Sequence, residues 1–297
     1  MALRALAWAT QVGTCEPDSL AEPPAIPTPA DWASVRIETL RESFDELLLG
    51  RHTQEGLEAL HVTGALDAWL PEISAMVGFG DGEWRHKDVW KHTKQVVWQS
   101  VPRIDVRWGA LLHDIGKIKT RKIEPSGEVH FFGHSEVGAA MFRKRVAKRL
   151  NFSGEQYERV HYLILYHLRA SQYDGSWTDS AVRRFGREMG DGLTDLLDLS
   201  RADITTKRPE RKKKGLRQIS ELSSRIQKLQ LDDAKLPPLS KGIGNAMMAH
   251  FALPPSRRIG ELKSLLETEI EAGNLEARRE DEYYLAWLES KRSELLI

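Results

Sequence analysis

Six ionisable side chains fall on, or beside, the apolar stripes of separate helical segments, which confines the fold to one in which those segments converge. In "DVWKHTKQVVW", Val89, Thr93, Val96 and Val97 share a face, and His92, three after Val89 and four before Val96, points the same way. Ile104, Trp108, Leu111, Leu112 and Ile115 form the next stripe; it carries "LLHDIGK", and Asp114 follows Leu111 by three, beside His113. Val160, Leu163, Ile164 and Leu168 share a face that His167 joins and His161 does not. Leu193, Leu196, Leu197 and Ile204 define a stripe on which Asp203 falls, and His134 stands one turn before Val137 in "GHSEVGAAM".

A lone inward histidine is normally a hydrogen-bonded core residue. Six such groups, two of them carboxylates with no evident partner on their own helices, need a common compensation, because a buried charge is costly unless paired. Neutral imidazole and carboxylate oxygen are both ligands for borderline divalent metals, so the expected centre is a metal site built from His92, His113, Asp114, His134, His167 and Asp203.

The rest of the chain limits the setting. Its 297 residues are rich in helical periodicity, and the expected class is all-α. "EPDSLAEPPAIPTPADW" (16–32) should break any helix before it. "WASVRIETLRESFDELLLG" reads as a helix over 32–50 with Gly50 as its C-terminal cap. Short helices follow through Gly56 to Leu60 and after Pro71, then a run of helices from His86 to Lys207 whose longest loop is "KTRKIEPSGEVHFFG". The final helical stretch should end near Trp287. Acidic and basic residues balance at 43 each, so no overall field favours nucleic acid or membrane, and RNA affinity would have to be local. The basic stretch "KRPERKKKGLR" (207–217) is the candidate, through Lys207, Arg208, Arg211, Lys212, Lys213 and Lys214. Cys15 is the single cysteine, which excludes an internal disulfide framework and a thiolate zinc cluster. "MALRALAWATQVGTC" imitates a secretion signal, but Gln11 interrupts its apolar run, and a cytoplasmic helix is expected. No stretch approaches the roughly 20 apolar residues needed to span a bilayer.

The order H…HD…D, with "WKHT", "HDIGK", "GHSEVGA", "YHLR" and "RAD", resembles the HD-domain metal-dependent phosphohydrolases. In "GLEALHVTGALDAWLPEI", "AVRRFGREMG" and "GIGNAMMAHFALPPSRRIGELKSLLETEIEAGNLE" the chain further resembles the body and tail of bacterial CCA-adding tRNA nucleotidyltransferases that carry an HD domain. The first helix is similar to that family's neck. The resemblance implies an HD-domain helical bundle over 86–217, between a neck- and body-like region (1–85) and a tail-like region (218–297). It implies one divalent ion on His92, His113, Asp114 and Asp203. His134 and His167 would hold a second ion bridged by Asp114, or would contact phosphate. Ni, Mn, Mg, Fe and Co all remain candidates.

Asp114 is then the central catalytic residue. Lys117, one turn beyond His113, either stabilises charge on phosphoryl oxygens or is an ordinary cationic helix end. Arg169, Arg183 and Arg184 could bind substrate phosphate as guanidinium forks, Arg184 by its match to the family's "AVRRF". The family's polymerising head is not expected in this chain: no D-x-D motif occurs, and Met1–Ala2 stand where the resemblance would put an acid pair of the nucleotide-recognition motif. CCA addition by this chain alone is therefore not expected. The expected activity is hydrolysis of phosphate esters at RNA ends, notably 2′,3′-cyclic phosphates, or of nucleotides. A nucleotidase acting only on mononucleotides and a headless tRNA-binding module or partner subunit are the alternatives.

Overall fold

The computed structural model describes residues 1–16, 22–80, 88–234 and 237–295; the expected boundary at 85/86 lies outside them. The chain divides into two compact units, Met1–Lys228 and Leu229–Ile297. Helices dominate both, and the fold class is all-α.

The first unit opens with α1 (Ala2–Thr14), α2 (Pro29–Ala33), α3 (Ile37–Leu49), α4 (Thr53–Val62), α5 (Ala65–Trp69) and α6 (Pro71–Ser74). It continues with α7 (Val89–Gln99), α8 (Ile104–Leu112), α9 (Lys117–Thr120), α10 (His134–Met141), α11 (Ala147–Arg149), α12 (Gly154–Tyr166), α13 (Asp179–Met189) and α14 (Leu193–Ala202). The helix α15 (Pro209–Ala234) crosses the division between the units, and the boundary expected at 217/218 falls within it. Between α9 and α10 the long loop forms a small antiparallel ribbon, β1 (Lys122–Ile123) against β2 (Val129–His130).

Two local expectations change. The proline-rich segment contains a helix: Pro29 occupies the first turn of α2, where its missing N–H costs nothing, and Thr28 and Asp31 make a reciprocal capping box. Trp32 belongs to α2, so the following helix begins at Ile37 rather than at residue 32. Gly50 does end α3, but with φ −69° and ψ 171° it is not a left-handed cap. Its glycine is required by space, since a Cβ would collide with the Gly13 carbonyl of α1.

Around α8 the core is aromatic. Trp108 is fully buried, stacked on Phe44 at 5.9 Å and edge-on to Phe152 at 5.1 Å, with its indole N–H donated to Asp45. α7 is tied to α4 through Glu58, which accepts from both Lys94 and Trp90. This fixes the helix that carries His92.

One buried ion pair locks α11 to α6. Arg149 forks onto Glu72 at 2.7 and 3.0 Å, and Glu72 is only 4% exposed. Burial alone would raise the Glu72 carboxyl, but the guanidinium outweighs it and holds the group below its ordinary 4.5. The pair's contribution is therefore complete above about pH 4.5 and is lost as pH falls through the depressed value. Arg149→Ala leaves the carboxylate buried without its partner and is expected to lose about 3 kcal/mol, read by urea denaturation at pH 7. The variant should also lose this acid-linked slope of stability; an unchanged midpoint would show that water replaces the guanidinium.

The second unit contains α16 (Ile243–Phe251), α17 (Arg257–Glu271), α18 (Asp281–Ser290) and α19 (Arg292–Leu295). Helical structure thus continues past Trp287. Its core gathers Ile243, Met247, Phe251, Leu262, Leu266 and Leu288 around the fully buried Tyr284, whose hydroxyl donates to the Glu276 carbonyl and accepts the Arg279 N–H.

Candidate metal centre

Four of the six residues sit just past helix ends. α8 terminates at Leu112, so His113 and Asp114 occupy the turn beyond it, not the helical stripe itself. His167 follows α12 and Asp203 follows α14, each as the C-terminal capping residue. His92 lies in the first half of α7, and His134 opens α10. Three helix C-termini therefore face the cluster, and their carbonyl ends bias it towards positive charge. Gly116 permits the close approach of the HD turn to α10, because a Cβ there would strike the His134 carbonyl.

The ring orientations repeat. His113, His134 and His167 each direct Nδ1 at the carbonyl three residues earlier: Ala110 at 2.7 Å, Phe131 at 2.8 Å and Ile164 at 2.8 Å. For His113 and His167 that acceptor belongs to the last turn of the preceding helix, a carbonyl the helix leaves without its own donor. His92 places Nδ1 2.9 Å from Thr205 Oγ1.

The four Nε2 atoms consequently meet at the centre, with the carboxylates between them. His92 Nε2 lies 3.0 Å from Asp203 Oδ1, 3.4 Å from His113 Nε2 and 3.5 Å from Asp114 Oδ2; His113 Nε2 is 3.2 Å from that same Asp114 oxygen. Asp114 Oδ1 faces the other pair, 3.4 Å from His134 Nε2 and 4.0 Å from His167 Nε2, which are 3.1 Å from each other. Two triads result, His92–His113–Asp203 and Asp114–His134–His167, with the second oxygen of Asp114 turned to the first.

This arrangement fits a divalent cation. A carbonyl accepts, so Nδ1 carries a proton in His113, His134 and His167, and each ring, when neutral, presents a lone pair at Nε2. The His134 and His167 lone pairs then face one another across 3.1 Å, beside a carboxylate. Acceptors crowded in this way repel unless a cation lies among them. Neighbouring ligands around an ion at about 2.1 Å are separated by about 3 Å in octahedral geometry, the scale of the spacings here. Fixing the non-ligating nitrogen by a hydrogen bond is how proteins orient metal-binding imidazoles.

A proton is a poor substitute at His167. Burial first, and then the His113 charge, lowers its pKa to about 4. Burial opposes charge on Asp114 too, but His113 and Lys117 outweigh it and hold the carboxyl well below its usual value. Asp203 is likewise kept ionised, with burial opposed by the hydrogen bond to His92 and by the neighbouring imidazoles. The donor set is compatible with divalent metal binding.

The remaining site candidates are placed differently. Lys117 donates to Asp114 Oδ2 at 2.6 Å, which puts its ammonium at the edge of the cluster. Arg169 donates to Glu188 at 2.7 Å, and Arg184, 72% exposed, faces the same carboxylate at 3.8 Å. Both forks are thus engaged on α13. Arg183 lies on the same helix, within Coulombic range of Asp179. Lys207, Arg208, Arg211, Lys212, Lys213 and Lys214 are all exposed at the start of α15, with Lys212 reaching Gln99 at 3.5 Å. Leu168, expected on the buried face with His167, is 37% exposed because the helix has already ended. Thr205, 5% exposed, is the residue at the cluster that helical spacing missed, its hydroxyl beside His92 Nδ1. Its only sequence signal is a hydroxyl two residues after Asp203.

His161 occupies a separate environment, stacked on Tyr157 and beside Phe142. His167→Ala is therefore expected to weaken divalent-metal affinity by about 100-fold or more, whereas His161→Ala leaves it within twofold. Calorimetric titration checks this, and equal losses at the two positions would show that α12 does not end at the site.

Residues 87–208 match the family model for the HD domain. The chain is 32% identical over 259 residues to the CC-adding tRNA nucleotidyltransferase of Thermus thermophilus, covering 84% of this chain and 56% of that protein. It is 31% identical over 239 residues to the A-adding tRNA nucleotidyltransferase of Deinococcus radiodurans, covering 77% and 54%. A multifunctional CCA protein of an Azoarcus species matches over 119 residues at 33% identity, 38% of this chain and 28% of that protein. The chain thus spans little more than half the length of the first two relatives.

Proposed function

The chain is an HD-domain protein, and on that footing we propose that it is a metal-dependent phosphohydrolase acting on phosphate esters at RNA ends, such as 2′,3′-cyclic phosphates, or on nucleotides. The observation that carries this reading is Asp114, whose two oxygens face two separate groups of imidazole Nε2 atoms. His92, His113, Asp114 and Asp203 would hold one ion, and His134 and His167 a second with Asp114 shared. A bound divalent ion supplies Lewis acidity, lowering the pKa of water and drawing charge from phosphoryl oxygen.

The chain's own groups do the rest. The carbonyls of Ala110, Phe131 and Ile164 hold three imidazoles in the tautomer with Nε2 free to ligate. Lys117 helps keep Asp114 ionised, and its three-donor ammonium lies at the rim, able to turn towards a phosphoryl oxygen. The near-complete burial of His113, Asp114 and His167 excludes bulk water from the ligands. RNA as the substrate class, and with it a cytoplasmic setting, is supported by the tRNA named in the relatives' descriptions. Among the described residues, no helix is long and apolar enough to cross a membrane.

Phosphate release from a panel of mononucleotides and RNA 3′ ends, with several divalent metals, tests the reading and separates a strict nucleotidase from an enzyme of RNA ends. Absence of metal-dependent release from any of them would overturn it.

A second reading, an RNA-binding module or partner subunit, is favoured by the exposed basic turn at the start of α15. Cations at a helix N-terminus oppose its dipole, so a polyanion there would relieve the repulsion. Replacing Lys212, Lys213 and Lys214 together by Ala should weaken RNA binding and lower the log–log salt slope by about 0.7–0.9 per lost phosphate contact. Hydrolysis of a cyclic mononucleotide should stay nearly unchanged. Unaltered affinity and slope would make this turn a solvated surface.

A further inference from the structure

The ribbon between α9 and α10 presents an exposed aromatic ring beside the metal centre, for which neither packing nor the six ligands has a use. Phe132 is 74% exposed, the most exposed phenylalanine or tryptophan among the described residues. Its ring lies parallel to the His130 imidazole, with centroids 4.9 Å apart and planes 13° from parallel. Lys122 is the cross-strand partner of His130, so the two side chains stand on one face of the ribbon, and Phe132, in the turn beyond β2, stacks on that His130. The opposite face is structural. Val129 is buried, and Phe131 packs against Phe79 at 6.4 Å with the Lys117 ammonium 5.5 Å from its ring.

This outward face is coupled to the centre by the backbone. The Phe131 carbonyl fixes His134 through its Nδ1, and Phe132 is two residues from His134, so their Cα atoms are at most about 7.6 Å apart. Lys122, exposed, brings one positive charge to the His130 side of the ribbon, while Glu128 faces His130 at 3.7 Å. A solvent-exposed ring stacked on an imidazole, with the Lys122 ammonium across the ribbon and one short step from a phosphate-directed metal centre, matches a nucleoside phosphate: a flat base for the ring and anionic oxygens for the lysine.

We propose that Phe132, backed by His130, is the platform on which the base of the substrate's terminal nucleotide stacks, making the centre selective for nucleoside phosphates over base-free phosphate esters. The proposal rests on the phosphohydrolase reading for its kinetic test but not for its binding test.

The experiment compares adenosine 2′,3′-cyclic phosphate with glycerol 1,2-cyclic phosphate, which has the same strained ester and no base. The wild-type protein should prefer the nucleotide in kcat/KM. Phe132→Ala should lose about 5- to 150-fold on the nucleotide, mainly through KM, with the glycerol ester unchanged. Phe132→Leu should fail like Ala, and Phe132→Trp should retain the preference, since only an aromatic face supports stacking. Calorimetric titration with adenosine 2′-phosphorothioate gives the second arm, in which Phe132→Ala should bind correspondingly more weakly. A protein that hydrolyses neither ester but shows this loss of binding retains the platform while the hydrolase reading falls. Equal kcat/KM for both esters in the wild type, equal losses on both in Phe132→Ala, or undiminished analogue binding by that variant would each overturn the proposal.

Discussion

Asp114→Ala is expected to lose bound divalent metal and phosphate-ester hydrolysis together, with kcat/KM falling by about 10³-fold or more. The reason is its position between the two triads. Oδ2 stands 3.2 Å from His113 Nε2 and Oδ1 stands 3.4 Å from His134 Nε2, so one truncation removes a ligand from each group. Alanine also releases Lys117 from its hydrogen bond and leaves that ammonium at the edge of a cluster with one carboxylate fewer. Metal analysis of the purified variant, beside phosphate release, reads both effects. A folded Asp114→Ala protein with normal turnover in the presence of chelator would contradict the assignment.

The second large effect is the dependence of stability and metal affinity on each other and on pH. Without a cation the facing lone pairs repel, so metal should stabilise the folded chain, by about 2.7 kcal/mol at a free concentration 100 times Kd. The Asp114→Ala protein should show no such shift in thermal midpoint. Protons compete for the same nitrogens. Burial disfavours charge on His113, but the Asp114 carboxylate outweighs it and raises the pKa above the usual 6.5. His167, lowered to about 4, stays neutral through the same range. Metal affinity should therefore fall as pH drops through neutrality, with His113 taking the competing proton and His167 taking none until about pH 4. A competition titration with a metallochromic chelator between pH 8 and 5 checks this; affinity flat across that range would show that His113 is not a ligand.

Much of the cluster was legible because helical spacing is a strong constraint. Val89 and Val96 aim His92, and Val160, Leu163 and Ile164 aim His167 while leaving His161 outside. The structure brings those residues together. Spacing did not reveal that His113, Asp114, His167 and Asp203 lie beyond their helices' last turns, since a helix end in an apolar run has no local mark without Gly or Pro. Leu168 was misplaced for the same reason. Gly50 was read from its residue type as the helix's C-terminal cap, which it is, but its glycine answers the approach of α1, a contact 37 residues away in the chain. Thr205 was invisible because a hydroxyl acquires meaning only when an imidazole arrives from 113 residues earlier. Proline at 29 masked α2, whose Thr28–Asp31 box is a local signal that outweighs the surrounding prolines.

The central claim is that imidazole Nε2 atoms and carboxylate oxygens from five helices hold a divalent ion. Anomalous diffraction from crystals grown with Mn²⁺ tests it most directly. The account predicts density within about 2.0–2.2 Å of His113 Nε2 and an Asp114 oxygen, with the Nδ1 atoms still on the Ala110, Phe131 and Ile164 carbonyls. Density at a ring Nδ1, or none between these six side chains at saturating metal, would contradict it.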